Sequence, residues 1–147
     1  MSDGAVSRSA PPAAAAEDRI EPTALADRLA ALASDRKAAE IRVIDVRELV
    51  GYTDFLVVCS GNTERQTKAI HDAVYQTVKD ELGLLPRRVA GEREARWILL
   101  DYLDCVMHIF TPEARAFYRL EQLWGEAPRR DLAPGEDEDV PVIPAND

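Results

Sequence analysis

The sequence predicts a single α/β domain, in which helices pack on a mixed β-sheet. The chain has 147 residues, a length that suits one domain, and its 46% content of hydrophobic residues can form a core. Apolar residues recur at helical spacing in some segments and form short continuous runs in others. The candidate elements follow the order helix, strand, strand, helix, three strands and helix, which predicts a mixed sheet.

The first part of the chain contains one candidate helix and two candidate strands. Thr23 can cap a helix whose leucines recur at i, i+4 and i+7 within residues 25–32. The β-branched stretch 41–46 then predicts a strand. After a loop through Gly51, the continuously apolar run 55–59 is typical of an inner strand that is covered on both faces.

The second candidate helix carries signals at both ends. Thr63 and Gln66 form the T-x-x-Q pattern of a capping box. Gly83 stands where a helix would end in a left-handed residue. The buried side of this helix is predicted to consist of Ile70, Val74 and Val78.

Beyond Pro86 the candidate strands lie close together. The segment 87–90 is a weak strand candidate, whereas 97–101 and 105–110 are stronger. The short link between the last two predicts an antiparallel hairpin. Thr111 followed by Pro is typical of a helix start, and the last helix is predicted to run toward residue 118.

Most of the negative charge lies at the two ends of the chain. The formal net charge is -9, of which residues 1–22 carry -2, residues 126–147 carry -5 and residues 23–125 carry -2. Both ends are rich in Ala and Pro and lack sustained periodicity, so 1–22 is predicted to be a disordered extension and 126–147 a disordered acidic tail. The folded domain is therefore predicted to span 23–125.

Composition also excludes several classes of protein. No apolar run approaches the length of a membrane span, so we expect no membrane association. A chain of this acidity is not expected to coat nucleic acid through phosphate contacts. Cys59 and Cys105 are far apart and form no CxxC pair, which favours the reducing cytoplasm over a disulfide scaffold.

The predicted domain contains few of the residue patterns that are typical of enzymes. It lacks the glycine-rich nucleotide-binding motifs and the G-x-S-x-G motif, and its histidines and cysteines lack the spacing of a zinc site. Cys105 and His108 would leave opposite faces of one strand, so they cannot pair as nucleophile and base. Asp101 and Asp104 could hold Mg²⁺ near a strand end, although acidic residues in turns commonly accept backbone hydrogen bonds. We therefore expect no metal and no cofactor.

A specific residue pattern runs through the second half of the chain. Trp97, Asp101, Tyr102, Asp104, His108 and Phe110 are followed by Arg115, Tyr118, Leu120, Glu121, Leu123 and Trp124. Thr53-Asp54, Ser60-Gly61, Arg65 and Gly91 precede them. With this pattern the chain resembles the ribosomal silencing factor family, also called the Iojap-related family, over about residues 23–125. Leu103 departs from it, because the family often has Gly there, and a turn of positive φ would make Leu costly.

The resemblance implies a non-enzymatic translation factor. Members of the family bind the large ribosomal subunit through large-subunit ribosomal protein fourteen and sterically block joining of the small subunit, which lowers translation when nutrients are scarce. Their fold resembles that of nucleotidyltransferases without the catalytic pattern, and they tend to form homodimers. Two alternatives stay open: a dimeric adaptor for ribosome assembly, and a metal-dependent nucleotidyltransferase that uses Asp101 and Asp104.

The segment 97–124 is predicted to bind the partner, because it combines aromatic side chains with carboxylates that suit a basic ribosomal protein. No sequence-specific contact with nucleic acid is expected. Phe110 and Phe117 are predicted to be core residues, whereas Trp97 and Tyr118 are predicted to be interface residues. His108 is predicted to be either a structural hydrogen-bonding residue or a partner contact. The full set of predicted partner-binding residues is Trp97, Asp101, Asp104, His108, Arg115, Tyr118, Leu120, Glu121 and Leu123.

Overall fold

The computed structural model describes residues 20–125 and 127–132. In chain order the elements are α1 (Pro22–Asp35), β1 (Ala39–Asp45), β2 (Phe55–Ser60), α2 (Glu64–Leu82), β3 (Arg88–Ala90), β4 (Trp97–Asp101), β5 (Cys105–Phe110), α3 (Pro112–Tyr118), a 3₁₀ helix (Leu120–Trp124) and β6 (Arg129–Leu132). Among the helices of this part of the chain, none is both long enough and apolar enough to cross a membrane.

The strands form one mixed sheet with the order β3-β4-β5-β2-β1-β6. The central strands β2 and β5 run parallel, and every other neighbouring pair is antiparallel. Both central strands are buried along their whole length, which confirms the prediction of a covered inner strand at 55–59. The predicted β4–β5 hairpin is also confirmed, with Trp97 opposite Phe110 and Asp101 opposite Val106.

Helices cover both faces of the sheet. On one face, α1 and α2 pack against strand residues that include Cys105, Met107 and Ile109. On the other face, α3 and the 3₁₀ helix pack over Val106 and Phe110. The side chains of β5 therefore belong to two hydrophobic layers, one on each side of the sheet, because successive side chains of a strand point to opposite faces.

The helix ends follow the predicted signals with one exception. The Thr63 hydroxyl accepts a hydrogen bond from the Gln66 backbone N–H at 3.1 Å, and the Gln66 side chain accepts one from the N–H of Asn62 at 2.7 Å. Gly83 ends α2 with a φ of 64°. The prediction of Thr23 as a cap is wrong, because α1 already begins at Pro22, whose fixed φ and missing N–H suit a first helical turn.

The sheet includes a strand beyond residue 125, the predicted boundary of the domain. Strand β6 lies within the segment predicted to be a disordered tail, and it pairs with β1 from Ile41–Leu132 to Ile44–Arg129. All four residues of β6 are exposed, so no apolar pattern marks the strand in the sequence. Backbone hydrogen bonds and the Arg42–Asp131 ion pair at 2.9 Å hold it to the sheet edge. The predictions for 1–19 and 133–147 concern residues outside the described ranges.

Candidate functional site

Four aromatic rings meet at one end of the β4–β5 hairpin. Trp97 stacks on Phe110 of β5, with 5.0 Å between ring centroids, and packs against Tyr118 of α3 at 4.6 Å. Phe117 meets Tyr118 edge-on at 5.0 Å. Phe110 is fully buried and Trp97 is half-buried, whereas Tyr118 is 51% exposed and Phe117 78% exposed. We call Trp97, Phe117 and Tyr118 the aromatic surface.

The prediction that Phe117 is a core residue is wrong. Helix α3 buries Ala114 and Arg115 and turns Phe117 outward. Helix α3 has only seven residues. A helix this short has too few turns for the spacing of its apolar residues to show which side faces the sheet. The prediction that Phe110 is a core residue is confirmed.

His108 lies beneath the aromatic surface and holds Trp97 in place. The Trp97 Nε1–H donates a hydrogen bond to His108 Nδ1 at 2.9 Å. Burial lowers the pKa of His108 to about 4, although the charge of Asp101 acts in the opposite direction. The imidazole is therefore neutral at pH 7, as it must be for Nδ1 to accept this bond. Of the two predicted roles of His108, the structure agrees with that of a structural hydrogen-bonding residue, because the side chain is buried and accepts the Trp97 bond; it does not support a direct partner contact.

A buried ion pair fixes α3 and the 3₁₀ helix to the sheet. The Arg115 guanidinium donates to both carboxylate oxygens of Glu121, at 3.0 and 2.7 Å, and to the Ser60 hydroxyl at 2.8 Å. Arg42 of β1 donates to the same carboxylate at 2.8 Å and also binds Asp131 of β6. Burial raises the pKa of Glu121, because it disfavours the charged carboxylate. The hydrogen bonds and charges of Arg115 and Arg42 lower the pKa by more, so that it lies below its usual value.

This Arg115 network changes the role of three predicted partner-binding residues. Arg115 and Leu120 are buried, and the Glu121 side chain is only 12% exposed. All three contact other parts of the chain, so their side chains support the aromatic surface from inside. A bidentate, charge-assisted pair of this kind holds its two helices in one relative position.

Asp101 and Asp104 lie at the other end of the hairpin from the aromatic surface. The Asp101 carboxylate accepts hydrogen bonds from the Leu103 N–H at 2.8 Å and from Arg87 Nε at 3.1 Å. The expected turn role of Asp101 is thus confirmed. Within residues 20–125 and 127–132, no group of three or more His, Cys, Asp or Glu side chains could hold a metal ion.

The turn between β4 and β5 has the backbone conformation that favours glycine. Leu103 has a φ of 78°. The Asp104 N–H donates to the Tyr102 carbonyl at 3.0 Å and closes a γ-turn around Leu103. The departure of Leu103 from the family pattern therefore falls at a strained position.

Neither cysteine is a nucleophile at neutral pH. Burial raises the pKa of the Cys59 thiol to about 12, and Arg115 opposes this only in part. Burial, with Asp104 and other carboxylates, raises the pKa of Cys105 to about 12 as well. Both thiols are protonated and belong to the core.

A groove with a volume of about 1140 Å³ runs beside the aromatic surface. At its floor, Gly91 has a φ of 82°, and a Cβ atom there would lie 1.9 Å from the Trp97 carbonyl oxygen. Only glycine lets the loop pass this close to the start of β4. Sequence reasoning missed the charged residues of the groove, since nothing in their spacing links them to Trp97. The lining comprises Asn62, Thr63, Glu64, Gly91, Arg93, Glu94, Arg96, Trp97, Thr111, Glu113, Ala114, Phe117 and Tyr118.

Comparisons with known proteins point to one family. A family model described as ribosomal silencing factor during starvation matches residues 19–145. The chain is 38% identical over 98 residues to the ribosomal silencing factor RsfS of Halalkalibacterium halodurans, an alignment that covers 67% of this chain and 83% of that protein. It is 37% identical over 103 residues to the RsfS of Bacillus subtilis, covering 70% of this chain and 86% of the relative.

A crystal structure of a protein from Chromobacterium violaceum matches the fold with a TM-score of 0.70 and 25% sequence identity. The match covers 84% of this chain and 95% of that chain. Fold, residue pattern and family model agree, and the chain belongs to the ribosomal silencing factor family.

Proposed function

We propose that this protein binds the large ribosomal subunit and prevents its joining to the small subunit. The observation that carries the proposal is the aromatic surface, together with Leu123 of the 3₁₀ helix, which is 70% exposed. Large apolar side chains grouped on a surface are typical of protein-binding sites. Membership of the ribosomal silencing factor family supports the ribosome as the target.

Contacts inside the chain hold Trp97 and helix α3, two parts of the aromatic surface, in place. Trp97 is fixed by the His108 hydrogen bond and by its stacking on Phe110. Helix α3 is fixed by the Arg115–Glu121 pair. A surface that is already ordered loses less conformational entropy on binding, so more of the contact energy appears as affinity.

The proposed partner within the subunit is large-subunit ribosomal protein fourteen, as the family resemblance implies. Glu64, Glu94 and Glu113 line the groove beside the aromatic rings and outnumber its arginines, Arg93 and Arg96, of which Arg96 pairs with Glu94 at 3.5 Å. Carboxylates around an apolar centre suit a basic protein, and they guide its approach. Trp97, Tyr118 and Leu123 remain proposed direct contacts, and Asp101 and Asp104 would meet the partner only if it extends along the hairpin.

The remaining parts of the proposal follow from the family. We propose a non-enzymatic, cytoplasmic regulator that forms homodimers and needs no cofactor. The protonated state of both thiols supports a role without covalent chemistry. The engagement of Asp101 by Leu103 and Arg87 likewise disfavours the nucleotidyltransferase alternative.

Cosedimentation with purified ribosomal subunits tests this proposal. The protein should comigrate with the large subunit alone. Tyr118→Ala should weaken binding by about thirtyfold, because truncating a central aromatic typically costs about 2 kcal/mol. Leu85→Ala is the matched control, since Leu85 is also exposed but lies before β3.

Thermal melting of the same variants separates contact from folding. Tyr118→Ala and Leu85→Ala should melt like the parent, whereas Arg115→Ala should lower the melting temperature and binding together, because it leaves Glu121 buried without its main partner. Comigration of Tyr118→Ala at the parental level would show that the aromatic surface is not the ribosome contact.

A further inference from the structure

A second group of exposed apolar side chains lies at the other end of the sheet. The loop between β1 and β2 exposes Leu49 (54%) and Tyr52 (57%), and the β4–β5 turn exposes Leu103 (45%). The backbone N–H groups of Asp54 and Phe55 both donate to the carbonyl of Asp104, at 2.9 and 3.1 Å. Loop and turn are therefore joined. We call Leu49, Tyr52 and Leu103 the loop–turn patch.

The backbone conformation of the turn does not require a leucine at position 103. Its φ of 78° would suit glycine, so the leucine side chain makes the turn less stable. Leu103 belongs to neither hydrophobic cluster of the core. A strained residue outside the core is a candidate for a contact with another molecule.

The surroundings of the patch are negatively charged. Asp45 ends β1, Glu48 and Asp54 lie in the loop, and Asp101 and Asp104 flank the turn. Arg47 and Arg87 pair with Asp45 at 2.7 Å and with Asp101 at 3.1 Å. At the same end of the sheet, Arg88 of β3 lies opposite Asp101 and Arg129 of β6 lies opposite Ile44, so the five carboxylates outnumber these four arginines. Burial raises the pKa of the Cys105 thiol at the start of β5, and the negative charges of Asp104, Asp54 and Asp27 raise it further.

We propose that the loop–turn patch binds a basic segment of another protein, which places an apolar side chain against Leu49, Tyr52 and Leu103 and pairs its lysines or arginines with the surrounding carboxylates. This contact is separate from the aromatic surface, because the two lie at opposite ends of the β4–β5 hairpin. A second copy of this chain fits the patch less well, since a two-fold contact brings the same carboxylates face to face.

An NMR titration of the ¹⁵N-labelled full chain tests this inference without the ribosome. The probe is a synthetic decapeptide of alternating Lys and Leu. Amide shifts should be confined to residues 46–54 and 101–105 and should weaken with added salt. A Glu/Leu decapeptide should cause no shifts there. Shifts centred on α3, or no shifts at all with the Lys/Leu peptide, would overturn the inference and leave the proposed ribosome contact standing.

Variants separate the apolar contact from general charge attraction. The double variant Leu49→Ser/Tyr52→Ser should raise the dissociation constant for the Lys/Leu peptide by about tenfold or more. The matched control is Leu82→Ser/Leu85→Ser, which removes two exposed leucines outside the patch. Leu103→Gly should weaken binding while keeping the turn, because glycine adopts this φ without strain.

Two results would contradict the inference. Parental affinity in both patch variants would show that the leucines and the tyrosine make no contact. Loss of a homodimer in Leu49→Ser/Tyr52→Ser, seen by sedimentation velocity, would assign the patch to a second copy of the chain instead.

Discussion

The position of Trp97 depends on two residues that are not part of the aromatic surface. Gly91 allows the preceding loop to pass against the Trp97 backbone, and His108 accepts the hydrogen bond of the indole. The same strand pairing that aligns Trp97 with Phe110 also brings His108 beneath it. The exposed rings are thus supported by a larger set of buried contacts.

Substitution of Gly91 should disturb this arrangement directly. Gly91→Ala should lower the free energy of unfolding by about 2–4 kcal/mol, because it adds backbone strain and a collision with the Trp97 carbonyl. Gly51→Ala is the control, since a Cβ there meets no atom within 4 Å. Urea unfolding measures both. Equal stability of the two variants would refute the close contact at Gly91.

His108 should make stability depend on pH. Its pKa is about 4 in the folded chain, against 6.5 for an ordinary histidine. Between these values the unfolded chain binds a proton that the folded chain does not, so acid favours unfolding. The stability that the neutral His108 contributes is complete above about pH 6.5. As the pH falls toward 4, the free energy of unfolding decreases by roughly 3 kcal/mol in all.

His108→Gln should reduce this pH dependence while keeping an acceptor for the Trp97 N–H. Urea unfolding of parent and variant at pH 7 and pH 4.5 gives the comparison. Carboxylates contribute to the acid loss in both proteins, so only the difference between the two slopes reports on His108. Identical slopes would mean that His108 has the same pKa in the folded and the unfolded chain.

Among the secondary-structure elements, those with a strong periodic pattern could be predicted and those held by polar contacts could not. The capping signals and apolar runs of α2, β2, β4 and β5 predicted them within one residue at each end. The 3₁₀ helix and β6 have no such pattern. They are held by Glu121 and Asp131, whose partners Arg115 and Arg42 are identified only by the fold.

The same reason limits what could be predicted of the site. The residue pattern predicted Trp97 and Tyr118 as surface aromatics near each other, and the structure brings them into contact. It could not show that Arg115 and Glu121 bind each other inside the molecule, because that contact depends on how α3 and the 3₁₀ helix lie against each other. The predicted strand 97–101, by contrast, already places Asp101 a full strand away from Trp97.

Removal of β6 should weaken the domain. A chain that ends at residue 125 loses the backbone pairing along β1 and the ion pairs of Asp131 and Arg130. It should be about 1–3 kcal/mol less stable than a chain that ends at residue 132. Thermal melting of the two shortened chains, measured side by side, is the check. Equal melting temperatures would show that β6 contributes nothing to the sheet.

At the scale of the whole domain, the aromatic surface and the loop–turn patch lie at opposite ends of the sheet. The aromatic surface and its groove lie where β4 begins and β5 ends, and the loop–turn patch lies where β4 ends and β5 begins. An acidic chain that presents apolar groups at both places suits basic protein partners better than nucleic acid. A partner held at the aromatic surface would leave the other end of the sheet free for a second contact.

The central claim is that binding at the aromatic surface keeps the ribosomal subunits apart. Light scattering of purified large and small subunits, mixed with and without the protein, measures joining directly. The parent protein should reduce subunit joining, Leu85→Ala should act like the parent, and Tyr118→Ala should have little effect at the same concentration. Comigration of the parent with the large subunit while joining proceeds undiminished would contradict silencing and would favour a role in ribosome assembly.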